Sequence, residues 1–125
     1  ILLGSNDSKE NNWNKDKFIA DYCEIIDSYL SLEAKPKVYL ILPPPVFEVR
    51  GKVHYKLREY VIQDEICPAI KYVAKEKGLE YIDICSIFDG RCELFVDGVH
   101  PNAKGSKLLA ESVFEFMRQN DCSEN

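Results

Sequence analysis

Two short polar stretches of the sequence contain residue types that can transfer protons and donate hydrogen bonds to a ligand. "GSND" runs from Gly4 to Asp7, and "DGVHPN" runs from Asp97 to Asn102. An imidazole such as that of His100 takes a proton from a nucleophile near neutral pH and returns it to a leaving alcohol. The carboxylate of Asp97, three residues earlier, can accept the proton of the other ring nitrogen and stabilise the imidazolium. The pattern indicates an acid–base pair suited to acyl transfer.

The first stretch offers the complementary element, a hydrogen-bond donor for an oxyanion. The side-chain amide of Asn6 can donate to the tetrahedral intermediate, and losing one such donor typically lowers the rate about 10²–10³-fold. We expect Asp7 to brace the turn and Ser5 to be a loop hydroxyl and not a nucleophile. Either stretch alone is typical of an ordinary turn or helix cap. Chemistry is the better interpretation only if the fold brings them together.

Apolar runs predict three strands that could do so. Ile1 to Leu3 is predicted to be the end of a buried strand, and "VYLIL", Val38 to Leu42, a central parallel strand that is apolar on both faces. Pro43 to Pro45 should end this strand, because proline has no N–H for a ladder. A third strand is predicted at Tyr81 to Ile84, followed by a loop from Cys85 to Gly98.

Apolar residues at helical spacing predict three helices, from about Asn14 to Leu32, Tyr55 to Lys77 and Ala103 to Gln119. Pro68 should kink or break the second helix, and Gly78 should end it. The expected buried positions of the last two helices are Tyr60, Val61, Ile70, Val73 and Ala74, then Leu108, Leu109, Val113 and Phe116. Strands alternating with helices predict an α/β fold of one domain, residues 1–125, with a parallel sheet covered on both faces.

The predicted sheet gives the two polar stretches a common place. In open parallel sheets, ligands bind beyond the carboxyl ends of the strands. "GSND" directly follows the first predicted strand, and "DGVHPN" lies between the third strand and the last helix. Pro101 is expected in the first turn of that helix, where it would hold the Asp97–His100 loop rigid.

These stretches resemble two sequence blocks of the SGNH (GDSL-type) hydrolase family. "ILLGSND" is similar to the third block, Gly-x-Asn-Asp, and "FVDGVHPNAKGSKLLAE" to the fifth, Asp-x-x-His-Pro. The resemblance implies a three-layer flavodoxin-like sandwich and a serine ester hydrolase. Within it, Asp97 and His100 would be catalytic and Asn6 would belong to the oxyanion hole. "GSNDSK" and "LPPPVF" resemble the branch that acts on short-chain acyl esters and carbohydrate O-acetyl esters.

The resemblance is incomplete at the beginning of the sequence. The family's first block, Gly-Asp-Ser with the nucleophile, and its second block, with an oxyanion-hole glycine, have no match. We therefore expect this chain to be the C-terminal part of such a domain, with N-terminal strands missing, and to be inactive alone. The alternative is a non-catalytic binding or interaction module that lacks the nucleophile.

Three further residues are candidates for contact with substrate. Trp13 and Gly4 flank Asn6, so they are expected to line the substrate pocket; the alternative for Trp13 is a packing role. His54 lies in the irregular stretch after Pro45, and we expect a surface histidine there, with substrate contact as the alternative.

Composition excludes several classes of partner. The net charge of −5 and the lack of a Lys/Arg cluster argue against nucleic acid, and no apolar run has the roughly 20 residues that span a bilayer. No cofactor is expected, and two histidines without clustered carboxylates make a metal site improbable. The expected partner is a small-molecule or carbohydrate ester. An exposed first strand would also favour self-association.

The five cysteines form no CxxC pair: Cys23, Cys67, Cys85, Cys92 and Cys122. We expect reduced, partly buried thiols, with a Cys85–Cys92 disulfide as the alternative. The sequence does not indicate a cellular compartment.

Overall fold

The computed structural model describes residues 1–52 and 55–121. At its centre, β1 (Leu40–Ile41) pairs in parallel with β2 (Tyr81–Ile82). Leu2 forms a parallel bridge to Ile41 on the other side of β1. The predicted parallel arrangement is confirmed, although the paired segments are shorter than the apolar runs suggested. His54, a predicted surface or substrate residue, lies outside the described residues.

Strand β1 is hydrogen-bonded on both edges, and each of its two faces is covered by an apolar cluster. The N–H groups of Leu40 and Leu42 donate to residues of the β2 edge, and the N–H of Ile41 donates to Ile1 O at 2.8 Å. Leu40 and Leu42 are fully buried in one hydrophobic cluster, whereas Ile41 packs against a second cluster. A central strand therefore separates two apolar layers, as in a three-layer α/β sandwich.

The first layer contains helix α1 (Lys15–Leu30). Asn14 caps its N-terminus, since the Asn14 side chain accepts a hydrogen bond from Lys17 N at 2.9 Å. Its apolar residues recur at intervals of four: Phe18, Tyr22 and Ile26. They are buried in the same hydrophobic cluster as Leu40 and Leu42. The predicted helix is confirmed, two residues shorter at its C-terminal end than expected.

The second helical region differs from the prediction in its beginning and its interior. It consists of α2 (Glu59–Val61), a π-helical turn (Ile62–Ile66) and α3 (Cys67–Lys77). In place of a break, Cys67 N–H donates to Ile62 O five residues back, and Pro68 occupies the first turn of α3. Proline is tolerated there because that turn has N–H groups without intrahelical partners.

Tyr60 and Gly78, at the two ends of this helical region, bear on two further predictions. The prediction that Tyr60 is buried is wrong, because the π turn changes the helical register, and Tyr60 is 58% exposed. Gly78 ends α3 in the left-handed conformation, with φ of 63°, as predicted.

The opposite layer contains α4 (Ile84–Phe88), a 3₁₀ turn (Cys92–Leu94) and α5 (Ala103–Asp121). The loop predicted from residue 85 is therefore wrong in its first part, because the Asp83 side chain caps α4 by accepting from Ser86 N. The predicted face of α5, comprising Leu108, Leu109, Val113 and Phe116, packs against the second cluster as expected.

The thiols of Cys23, Cys67, Cys85 and Cys92 are free. Cys85 hydrogen-bonds Cys67, which raises the pKa of Cys67 and lowers that of Cys85. The alternative Cys85–Cys92 disulfide is not formed. Cys122 lies outside the described residues. Within the described residues, no helix is both long enough and apolar enough to cross a membrane.

Candidate active site

The segment that carries Asp97 and His100 is a closed loop. Phe95 and Pro101 form an antiparallel bridge, and Val96 N–H donates to His100 O at 2.8 Å. Pro101 thus closes the loop before the helix, which corrects its predicted place in the first helical turn. The loop is short and bonded across its base, so its backbone has little freedom to move.

Asn102 joins this loop to helix α5. Its side-chain oxygen accepts hydrogen bonds from Lys104 N and Gly105 N, each at 3.0 Å, as expected of an N-cap. Its amide donates to Glu93 O at 2.8 Å, and its own N–H donates to Leu94 O at 2.8 Å. The start of α5 therefore fixes the position of the loop.

Gly98 anchors the loop to the segment that follows β1. Phe47 N–H donates to Gly98 O at 2.8 Å. Gly98 has φ of +86°, and a Cβ there would lie 1.9 Å from Phe47 O. Only glycine allows this approach. The "LPPPVF" stretch thus holds the loop from the carboxyl end of the central strand.

Within the loop, His100 Nδ1 and Asp97 Oδ2 are 2.7 Å apart. Asp97 Oδ1 accepts from the backbone N–H groups of Val99 at 3.0 Å and His100 at 2.8 Å. The His100 backbone, then its ring, and more weakly Val99 hold the pKa of Asp97 well below its usual range. An ionised carboxylate only accepts hydrogen bonds, so the Nδ1–H group of His100 donates to Asp97. Asp97 thereby fixes which ring nitrogen faces it and leaves Nε2 outside that contact.

Sequence reasoning missed a third member of this group, Tyr55. Its hydroxyl donates to Asp97 Oδ2 at 2.9 Å, and its ring contacts the imidazole of His100 edge-on, with centroids 5.3 Å apart. The hydrogen bond to Asp97 raises the pKa of Tyr55. No motif or periodicity signals Tyr55, because it lies in an irregular stretch 42 positions before Asp97.

The predicted oxyanion donor lies on a 3₁₀ turn, Ser5–Ser8. Gly4 precedes this turn with φ of +129° and is buried, and a Cβ there would lie 2.9 Å from Ile66 Cγ2. The absence of a side chain at Gly4 therefore lets the turn pack directly against Ile66. Asn6 is exposed, and its side chain has no hydrogen bond within the described residues. An amide that is exposed and unpaired is available to a ligand.

Arg58 connects the Ser5–Ser8 turn to the segment that carries Tyr55. Its Nε donates to Ser8 O at 2.5 Å, and its backbone N–H donates to Ser8 Oγ at 3.1 Å. Ser8 is fully buried, so this attachment is protected from water. Tyr55 and Arg58 are three residues apart, and one short segment therefore touches both predicted parts of the site.

A cavity of about 870 Å³ opens beside Asp97 and Tyr55. Apolar, aromatic and charged side chains share its lining, including Val46, Phe47, Arg50, Lys52, Tyr60 and Val99. Trp13 is not part of this lining. Its ring packs on Phe18 with centroids 5.4 Å apart, and its Nε1 donates to Glu65 Oε2 at 2.5 Å. These are the contacts of a packing residue, and substrate contact by Trp13 or Gly4 stays a prediction.

In the part of the chain that the structure describes, no three His, Cys, Asp or Glu side chains converge as metal ligands would. The site consists of an Asp–His pair and an exposed asparagine on a parallel α/β sandwich. An Asp–His pair of this kind is typical of hydrolases that act through an activated hydroxyl nucleophile.

Residues 1–108 match the GDSL-like Lipase/Acylhydrolase family, and the chain belongs to that family. It is 35% identical to an acetylxylan esterase of Xylanibacter ruminicola, over 90% of this chain and 27% of that protein. It is 27% identical to a GDSL esterase/lipase of Arabidopsis thaliana, over 71% of this chain and 39% of that protein.

The fold is similar to that of a lipase/acylhydrolase from Enterococcus faecalis. The TM-score is 0.76 at 22% identity, covering 96% of this chain and 60% of that one. The α/β fold with a parallel sheet is thus confirmed. This chain spans well under half the length of the two curated relatives.

Proposed function

We propose that this chain provides the general base, its orienting carboxylate and an oxyanion donor to a serine esterase. The observation that carries the proposal is the 2.7 Å contact between His100 Nδ1 and an Asp97 carboxylate that is also held by two backbone N–H groups. His100 Nε2 would take the proton of the serine hydroxyl and later protonate the leaving alcohol. Asn6 would donate to the oxyanion, which exists only in the transition state.

The nucleophile is proposed to lie outside these 125 residues. The sequence contains no Gly-Asp-Ser motif, and the chain corresponds to only part of its relatives. In this proposal the chain alone hydrolyses esters no faster than free imidazole does. The alternative, a non-catalytic binding module, shares the same cavity but has no serine beside His100.

The proposed substrates are short-chain acyl esters, with O-acetyl groups on carbohydrates foremost. Support comes from the relative that is an acetylxylan esterase. The cavity beside Asp97 agrees with a bulky alcohol portion, because about 870 Å³ exceeds what a short acyl chain fills. Tyrosine rings and charged side chains in its lining suit a polar ring better than a long alkyl chain.

The test is hydrolysis of p-nitrophenyl acetate and of acetylated xylan by the protein with and without the residues that supply the serine. We expect activity, and labelling by a serine-directed fluorophosphonate, only in the longer form. Asp97→Asn should lower kcat greatly, whereas Asp89→Asn, an exposed carboxylate at the end of α4, should not. Stoichiometric labelling of the 125-residue chain would contradict the assignment of the nucleophile. Lack of any hydrolysis by the longer form would favour the binding module.

A further inference from the structure

Tyr55 touches both members of the Asp97–His100 pair from outside their loop. Its hydroxyl is 2.9 Å from Asp97 Oδ2, and its ring lies edge-on to the imidazole at an interplanar angle of 78°. The arrangement restrains the carboxylate and the imidazole at once.

The restraint matters because the imidazole is otherwise open to solvent. The His100 side chain is 62% exposed, and that of Asp97 is 16% exposed. Within the described residues, the imidazole has a hydrogen bond to Asp97 and a ring contact with Tyr55, and no others. Without Tyr55, one hydrogen bond would have to select among the rotamers of an exposed side chain.

We propose that Tyr55 is a positioning residue that keeps His100 in the orientation and tautomer required of the general base. This inference rests on the proposed function. The hydroxyl holds Asp97 Oδ2 in line with His100 Nδ1, and the ring blocks rotation of the imidazole away from the carboxylate. Tyr55 is assigned no proton transfer, because its hydroxyl donates to Asp97 Oδ2, the same oxygen that faces His100 Nδ1.

The position of Tyr55 is itself fixed by the other part of the site. Arg58, three residues later, bonds to Ser8 O and, through Nη2, to Lys9 O at 3.4 Å. Ser8 ends the turn that carries Asn6. The oxyanion donor and the base are therefore held to one another through the segment from Tyr55 to Arg58.

The experiment compares Tyr55→Phe, which removes only the hydroxyl, with Tyr55→Ala, which also removes the ring. Tyr72→Phe is the matched control, because Tyr72 is an exposed tyrosine on α3. In the form of the protein that contains the serine, we expect kcat to fall about tenfold for Tyr55→Phe, as for loss of one hydrogen bond to a charged group. We expect a larger fall for Tyr55→Ala, with KM within about twofold of the original in both.

A second readout does not depend on activity. The imidazole ¹⁵N signals of His100 are identified by their loss in His100→Gln. We expect the Nδ1–H tautomer to dominate in the original protein and in Tyr72→Phe. In Tyr55→Phe the Nδ1–H resonance should shift, and in Tyr55→Ala the signals should approach those of a free imidazole that exchanges between tautomers.

The two readouts separate the inference from the proposed function. Absence of ester hydrolysis in the unmodified protein would overturn the function, while the imidazole signals would still decide the role of Tyr55. Unchanged signals in both variants, or a rise in KM with kcat retained, would overturn the positioning role. Unfolding temperatures equal to that of the original protein would show that the changes in signal are local.

Discussion

Gly98→Ala is the substitution that the geometry of the site constrains most sharply. Gly98 follows Asp97 and sets the distance between the loop and the segment after β1. Its φ of +86° is a conformation that residues with a Cβ rarely adopt. The added methyl group would lie 1.9 Å from Phe47 O, so the two backbone segments would have to separate by more than 1 Å.

Three costs add to the destabilisation. The positive φ costs about 1–2 kcal/mol for any residue with a Cβ. Forcing a methyl group into a filled space costs about 1–3 kcal/mol. Separation would also break the hydrogen bond from Phe47 N–H to Gly98 O, worth about 1 kcal/mol net. We expect Gly98→Ala to lower the free energy of unfolding by about 3–6 kcal/mol.

Gly90→Ala isolates the backbone cost from the steric one. Gly90 also has a positive φ, of +68°, but a Cβ there would meet nothing within 4 Å. We expect this control to cost only about 1–2 kcal/mol. The assay is urea unfolding followed by circular dichroism, with equal m values required of all variants. If Gly98→Ala cost no more than Gly90→Ala, the close approach of Phe47 would be wrong.

Four other results are expected. Asn6→Ala should lower kcat about 10²–10³-fold with little change in KM, because the oxyanion exists only in the transition state; a rise in KM alone would disprove its role. His100→Ala should be more severe than Asp97→Ala in the same steady-state assay, since the base transfers the proton and the aspartate orients it. The lowered pKa of Asp97 means that its contribution to stability is present above the unfolded value of about 3.9 and is lost as the pH falls through the folded value. The free energy of unfolding, measured from pH 7 to pH 2, should thus decline less for Asp97→Asn than for the original protein. An identical decline in both would contradict the lowered pKa of Asp97. Leu2 and Leu3 are 38% and 49% exposed beside the sheet, so the isolated chain is expected to self-associate in sedimentation at micromolar concentration; a stable monomer would refute this.

The sequence by itself determined the layers of the fold and the two polar stretches of the site. Spacing of four residues between Phe18, Tyr22 and Ile26 is sufficient to define a helix face, because helical geometry is local. The run "VYLIL" indicates a strand buried on both sides for the same reason. The contact between Asp97 and His100 is also local, since they are three positions apart in one closed loop.

Only the tertiary structure decided what holds those stretches in place. Tyr55, Arg58 and Phe47 act on residues about 40 to 50 positions away, and such contacts leave no period or motif in a single sequence. Their identity depends on how the irregular segment after β1 folds back over the sheet edge.

The same physical reason accounts for the prediction that failed at Tyr60. The burial of Tyr60 was inferred from a regular helical period, but the π turn from Ile62 to Ile66 places that ring in solvent. Substrate contact by Trp13 stays a prediction, and the packing of its ring on Phe18 and its hydrogen bond to Glu65 likewise depend on tertiary structure. Local pattern fixes which face of an element is apolar, whereas packing between distant segments fixes which polar groups meet.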